Sequence, residues 1–92
     1  MGSFDKAVYK TNDLEAGLQY NAKGDTSAAH YHKIATEINL ITAGKVRING
    51  EIYTAGMGII LYPGEVGECE YLEDSTTMVI KVPGPMGDKY LI

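Results

Sequence analysis

Three features of the sequence predict an all-β, antiparallel domain. Short β-prone runs are separated by eleven glycines, an Asn-Gly pair stands between two of those runs, and helical periodicity is almost absent. Near the start, "NDLEAGL" offers at most one helical turn capped by Asn12 or Asp13, and Gly17 argues against its extension. "AHYHKIATE" reads as a strand carrying His30 and His32, a turn at "KIAT", and a new strand from Glu37. "EINLITAG" then alternates to Gly44, and "KVRI" and "EIYTAG" flank Asn49-Gly50. Such a pair favours a type I′ hairpin, whose two central residues need positive φ. "GIILY" reads as a buried strand that stops at Pro63-Gly64. "GECEYL", a polar turn at Glu73-Asp74-Ser75 and "TTMVIKV" follow. The tail "PGPMGDKYLI" is expected as a loop whose Tyr90, Leu91 and Ile92 dock on the body. Regularly spaced short strands of this kind make a β-sandwich or barrel.

With 92 residues and no linker, the chain reads as one domain, residues 1–92. A domain this size buries only about 60–65% of its unfolded surface, so a homodimer is expected to add apolar burial. The net charge of -4 and the scattered Lys and Arg exclude a basic face for nucleic acid. No apolar stretch approaches the roughly 18 residues of a membrane span. "MGSFDKAVYK" lacks the apolar core of a signal peptide, and Cys69 is the single cysteine, so a cytoplasmic protein without disulfides is expected.

The chemistry is concentrated at residues 30–37. His30 and His32 are the only histidines, and on a strand their side chains share a face, with Tyr31 on the other. If the strand from Glu37 pairs with theirs, the carboxylate lies beside both imidazoles. Two His nitrogens and a carboxylate oxygen suit Zn, Ni, Mn or Fe as divalent ions, with positions left open for a ligand. The bland alternative is a pair of polar residues lining one strand face.

Gly24, His30, His32, Glu37 and Gly44 stand at the spacing Gly, five residues, His, one, His, four, Glu, six, Gly. This resembles the first conserved motif of the cupin superfamily at every fixed position. The likeness continues through "VRINGEIYTAGMGIILYPGEVGECEYLED", so that it covers about residues 24–82. The tail is also similar to the ends of small cupins found near bacterial surface-sugar genes. The resemblance implies a double-stranded β-helix, the cupin jelly-roll barrel, usually dimeric. It further implies a metal in the barrel mouth held by His30, His32, Glu37 and a histidine of the second motif. That last position falls on Gly67, so the usual four-ligand site cannot form.

Cys69 shares the inward parity of Gly67 and is either a thiolate ligand or a small buried apolar residue. Glu68 has outward parity, and Glu65 lies in a turn. Asn39 shares the face of Glu37 and is a candidate pocket-lining residue. Tyr53, Tyr62 and Tyr71 are expected mainly in the core. No Gly-x-Ser-x-Gly elbow and no phosphate-cradling loop is present. Three functions fit. The first is a cupin barrel that binds a small polar ligand, carbohydrate-related by the tail's likeness, with or without a divalent metal. The second is a metal-dependent oxygenase or isomerase using the two-His, one-carboxylate set. The third is a metal-free epimerase or lyase with His30 or His32 as general base.

Overall fold

Asn49 and Gly50 both adopt positive φ, 49° and 85°, and close a two-residue hairpin between strands Lys45–Ile48 and Glu51–Thr54. Asn is among the residues that tolerate that region, and its side chain ties the hairpin to the start of a distant strand: Nδ2 donates to the Val66 carbonyl and Oδ1 accepts from the Glu68 amide. The hairpin belongs to a computed structural model that describes residues 1–84 and 88–91.

Nine strands follow in chain order: β1 Glu15–Asn21, β2 Thr26–Tyr31, β3 Thr36–Ala43, β4 Lys45–Ile48, β5 Glu51–Thr54, β6 Gly58–Leu61, β7 Gly67–Tyr71, β8 Ser75–Val82 and β9 Tyr90–Leu91. They form two antiparallel sheets, ordered β1-β8-β3-β6 and β5-β4-β7-β2-β9. The crossing order, with β3 beside β8 and β4 beside β7, is that of a jelly roll, as the sequence led us to expect. Among the described residues there is no helix, and so none long and apolar enough to cross a membrane.

The core sits between the sheets. Ile41 of β3, Val46 and Ile48 of β4 and Tyr71 of β7 are buried, with Tyr53, Ile59 and Cys69 packed against them. Alternation along β4 explains the placement: Val46 and Ile48 point in, while Arg47 points out to an ion pair with Glu70 at 2.7 Å. That pair is exposed and contributes little to stability.

Four expectations need correction. "NDLEAGL" forms no helical turn; its second half opens β1, whose polar Gln19 and Asn21 face inward and whose Leu18 and Tyr20 face out. β6 is not a buried strand but the edge of its sheet, where only Leu61 is buried and Ile60 is 47% exposed. Tyr62 is not in the core; it is exposed and starts the turn in which its carbonyl accepts from the Glu65 amide. Finally, β2 and β3 do not pair. The turn at residues 33–35 carries the chain from one sheet to the other, so Glu37 approaches the histidines across the barrel interior. Of the docking tail, Tyr90 and Leu91 add a short strand to the edge of β2, and Ile92 lies outside the described residues.

Candidate metal centre and ligand cavity

His30 is the penultimate residue of β2, His32 is the first residue after that strand, and Glu37 is the second residue of β3. One ligand atom from each lies within 4.8 Å of the other two. The imidazoles meet edge to face, with ring centroids 5.5 Å apart. His32 and Glu37 are buried and His30 is half-buried.

Backbone carbonyls fix both rings. Nδ1 of His30 donates to the Ala28 carbonyl at 3.0 Å, and Nδ1 of His32 donates to the Asp88 carbonyl. Each Nδ1 therefore carries the proton and each Nε2 is left with a lone pair, the arrangement that carbonyl partners impose on metal-binding histidines. Nε2 of His32 lies 3.3 Å from Glu37 Oε2 and has no hydrogen-bond partner. Two lone-pair atoms facing each other in a buried site need a second proton or a cation between them. The residues thus fit a divalent metal held by nitrogen and oxygen donors.

Asp88 holds the turn that brings His32 and Glu37 together. Its carboxylate accepts from the backbone amides of Lys33 at 3.0 Å, Ile34 at 3.1 Å and Ala35 at 2.9 Å. Burial pushes its pKa up, but these three amides and the neighbouring His32 outweigh that and hold it below the ordinary carboxylate value. Tyr90 then stacks on Tyr31 at 5.4 Å, and Lys33 lies over the Tyr90 ring at 4.4 Å. On the other side, the Gly64 amide donates to the His32 carbonyl at 2.7 Å. This amide belongs to a turn whose third residue needs a φ of 88°, which glycine adopts freely.

The cluster opens into a cavity of about 510 Å³ between the sheets. Asn39, Gly67 and Cys69 are among the residues that line it. The Sγ of Cys69 is not among the converging ligand atoms. Burial, and then the neighbouring Cys69, push the Tyr71 phenol well above its ordinary pKa, so it stays a neutral hydroxyl in the wall. Gly67 pairs with His30 but does not leave an opening: a Cβ there would meet Leu61 Cδ1 at 2.7 Å. Leu61, in register with Glu37, fills the place where a fourth side chain would enter.

Several lining residues went unnoticed in the sequence. Gln19, Thr77, Lys81 and Lys89 all reach the cavity. Lys81 stands in register with Glu37 but bonds Glu15, at 3.2 Å. Lysines and hydroxyls in alternating strands carry no signal of their own; only the pairing of β8 with β1 and β3 brings them here.

A two-sheet antiparallel barrel with a His-His-Glu cluster in its interior is the class defined so far. No protein-family model matches the chain, and no curated protein matches it. Solved structures do. A conserved Klebsiella pneumoniae protein with a double-stranded beta-helix domain superposes with a TM-score of 0.79 at 24% identity, over 91% of this chain and 78% of that one. KdgF from Halomonas sp. gives 0.78 at 21% identity, over 83% and 74% of the two chains. An RmlC-like cupin from Shewanella frigidimarina gives 0.76 at 18%, over 82% and 70%. The chain has the cupin fold.

Proposed function

We propose that this protein binds a divalent transition metal through His30, His32 and Glu37, and with it a small polar ligand in the barrel mouth. The observation that carries this reading is the buried Nε2 of His32, unpartnered and 3.3 Å from a carboxylate oxygen. The metal would act as a Lewis acid toward a ligand oxygen. The chain's own groups do the rest. Lys81 and Asn39 line the wall beside Glu37 and offer donors to the ligand, and Lys89 lines the mouth. Three protein donors would leave further coordination positions on a divalent metal for a ligand, and that supports the alternative of a metal-dependent enzyme, an oxygenase or isomerase. A carbohydrate-related ligand suits the hydroxyl and amide groups of the wall.

The test is titration of metal-stripped protein with Zn(II), Ni(II), Mn(II) and, anaerobically, Fe(II), following thermal unfolding and binding heat. A shift abolished by His30→Ala with His32→Ala supports the reading; no shift with any of the four metals overturns it.

A homodimer is part of the same reading. Alternation in the four-stranded sheet sends Leu18 and Tyr20 of β1, Ile38 and Leu40 of β3, Ile60 of β6 and Met78, Ile80 and Val82 of β8 to its outer face, with no charged residue among them. Leu18, Leu40, Ile60 and Val82 are each between 41% and 47% exposed, and Tyr20 is 72% exposed. Together they form a contiguous apolar face of the kind that a standard interface, about 800 Å² per partner, covers. An uncharged apolar face can pair with a copy of itself about a twofold axis.

A further inference from the structure

Three buried side-chain atoms among the described residues have no hydrogen-bond partner: His32 Nε2, Asn21 Oδ1 and Thr77 Oγ1. All three residues line the same cavity. The histidine belongs to the proposed metal centre. The other two stand at the far end of the cavity. The inner face of the four-stranded sheet is a ladder of registered rows: Glu15, Lys81 and Glu37; then Gly17, Val79 and Asn39; then Gln19, Thr77 and Ile41. Asn21 follows Gln19 on the same face of β1. Successive rows are two residues apart along the strands, so the row of Thr77 lies about 13 Å from the row of Glu37.

The two ends differ in chemistry. At the end that holds the His-His-Glu cluster are Lys89 and Lys81, the latter paired with Glu15. At the far end Gln19, Asn21 and Thr77 carry no charge. Their amides and hydroxyl each donate and accept, which matches alcohol groups and cannot offset an ion. Thr77 is only 3% exposed, and a buried hydroxyl without a partner costs free energy that a hydrogen-bonding occupant of the cavity would recover.

We propose that Gln19, Asn21 and Thr77 form a second ligand subsite. It takes the hydroxyl groups of an elongated ligand whose anionic, metal-chelating end lies at His30, His32 and Glu37. This rests on the metal reading above and adds the length and character of the ligand: a polyhydroxylated carboxylate rather than a short acid.

Two probes separate the ends. Glycolate and D-gluconate share an α-hydroxy acid head, and only gluconate has a hydroxylated tail. Calorimetry on metal-loaded protein is expected to show gluconate binding roughly tenfold tighter than glycolate. Thr77→Val keeps the shape and removes the hydroxyl. It is expected to weaken gluconate about fivefold or more, to leave glycolate within about twofold, and to leave the metal-free melting temperature unchanged or raised. Gln19→Leu is the second variant and is expected to show the same selective loss. Equal affinity for both probes, equal losses for both in Thr77→Val, or no binding of either overturns the subsite while the metal reading stands. If no metal binds, the metal reading fails by itself; gluconate binding that still depends on Thr77 then supports the subsite, and its absence removes that too.

Discussion

Nε2 of His32 faces Oε2 of Glu37 at 3.3 Å while the opposite ring nitrogen is committed to the Asp88 carbonyl. The contact is therefore unsatisfied by a neutral imidazole and satisfied by a cation. Glu37→Gln separates the two roles of the carboxylate. The amide can donate to Nε2 and supply the missing hydrogen bond, but it is a poor metal ligand. We expect the metal-free variant to melt at or above the wild-type temperature, and its metal affinity to fall by at least about a hundredfold. At a hundredfold excess over Kd, metal should stabilise the wild type by about 2.7 kcal/mol, or roughly 10–20 °C in a domain of this size. Thermal melts of both proteins with and without Zn(II) check this; a full metal shift in Glu37→Gln would remove Glu37 from the site.

The carboxylate of Asp88 gathers three consecutive backbone amides of the β2–β3 turn. Asp88→Asn keeps one acceptor oxygen and loses the charge, at a cost of about 1–2 kcal/mol at neutral pH, similar to the loss of a helix cap. The folded-state pKa of Asp88 is depressed, so its contribution is present above the unfolded value of about 3.9 and is lost as pH falls through the lower folded value. Urea melts of metal-stripped protein should show a wild-type advantage from pH 5 upward that narrows below about pH 4. An advantage independent of pH would mean that packing, not charge, holds the turn.

That residue marks where the sequence stopped being legible. His30, His32 and Glu37 stand out because their spacing is short and both histidines of the chain lie within it. Asn49-Gly50 fixes a hairpin for a reason internal to the two residues. Asp88 lies 56 positions from its histidine and uses its backbone oxygen, which any residue type supplies. β1 was hidden for a different reason. Its outward residues are apolar and its inward ones polar, because they face a cavity on one side and an uncovered sheet on the other. The usual rule that apolar means inside reads such a strand backwards. β6 erred the same way, since Ile59 and Ile60 are equally apolar and lie on opposite faces.

The outer face of the four-stranded sheet predicts a dimer of about 20 kDa in light scattering at micromolar concentration, twice the chain's 10.0 kDa. Leu40→Lys places a charge in the middle of that face, where the native side chain is 41% exposed, and should give a folded monomer. Ile52→Lys is the control: it is 49% exposed on β5, in the other sheet, and should remain dimeric. A wild-type monomer would count against the dimer itself; a dimer broken by Ile52→Lys and not by Leu40→Lys would move the interface to the other sheet.

The pairing of Gly67 with Leu61 yields the sharpest test of the three-ligand site. Gly67 lies on an ordinary strand opposite His30, so only space limits what can stand there. That space is taken by Leu61 Cδ1, which a new Cβ would meet at 2.7 Å. Gly67→His alone should therefore overpack the interior, destabilise the protein by about 1–3 kcal/mol and leave metal affinity little changed. Leu61→Ala alone should cost about 2–5 kcal/mol by opening a void beside Glu37. Combined, the histidine can occupy the space the leucine vacates and offer a fourth donor to the cluster. The double variant is expected to bind Zn(II) at least about tenfold more tightly than the wild type, and to recover part of its lost stability when metal is added. The four proteins are compared by competition against a chromophoric chelator, with metal-dependent melts in parallel. Affinity in the double variant no greater than in the wild type would place the metal's open side elsewhere in the cavity and would sink the argument that Leu61 occupies the site of the missing ligand.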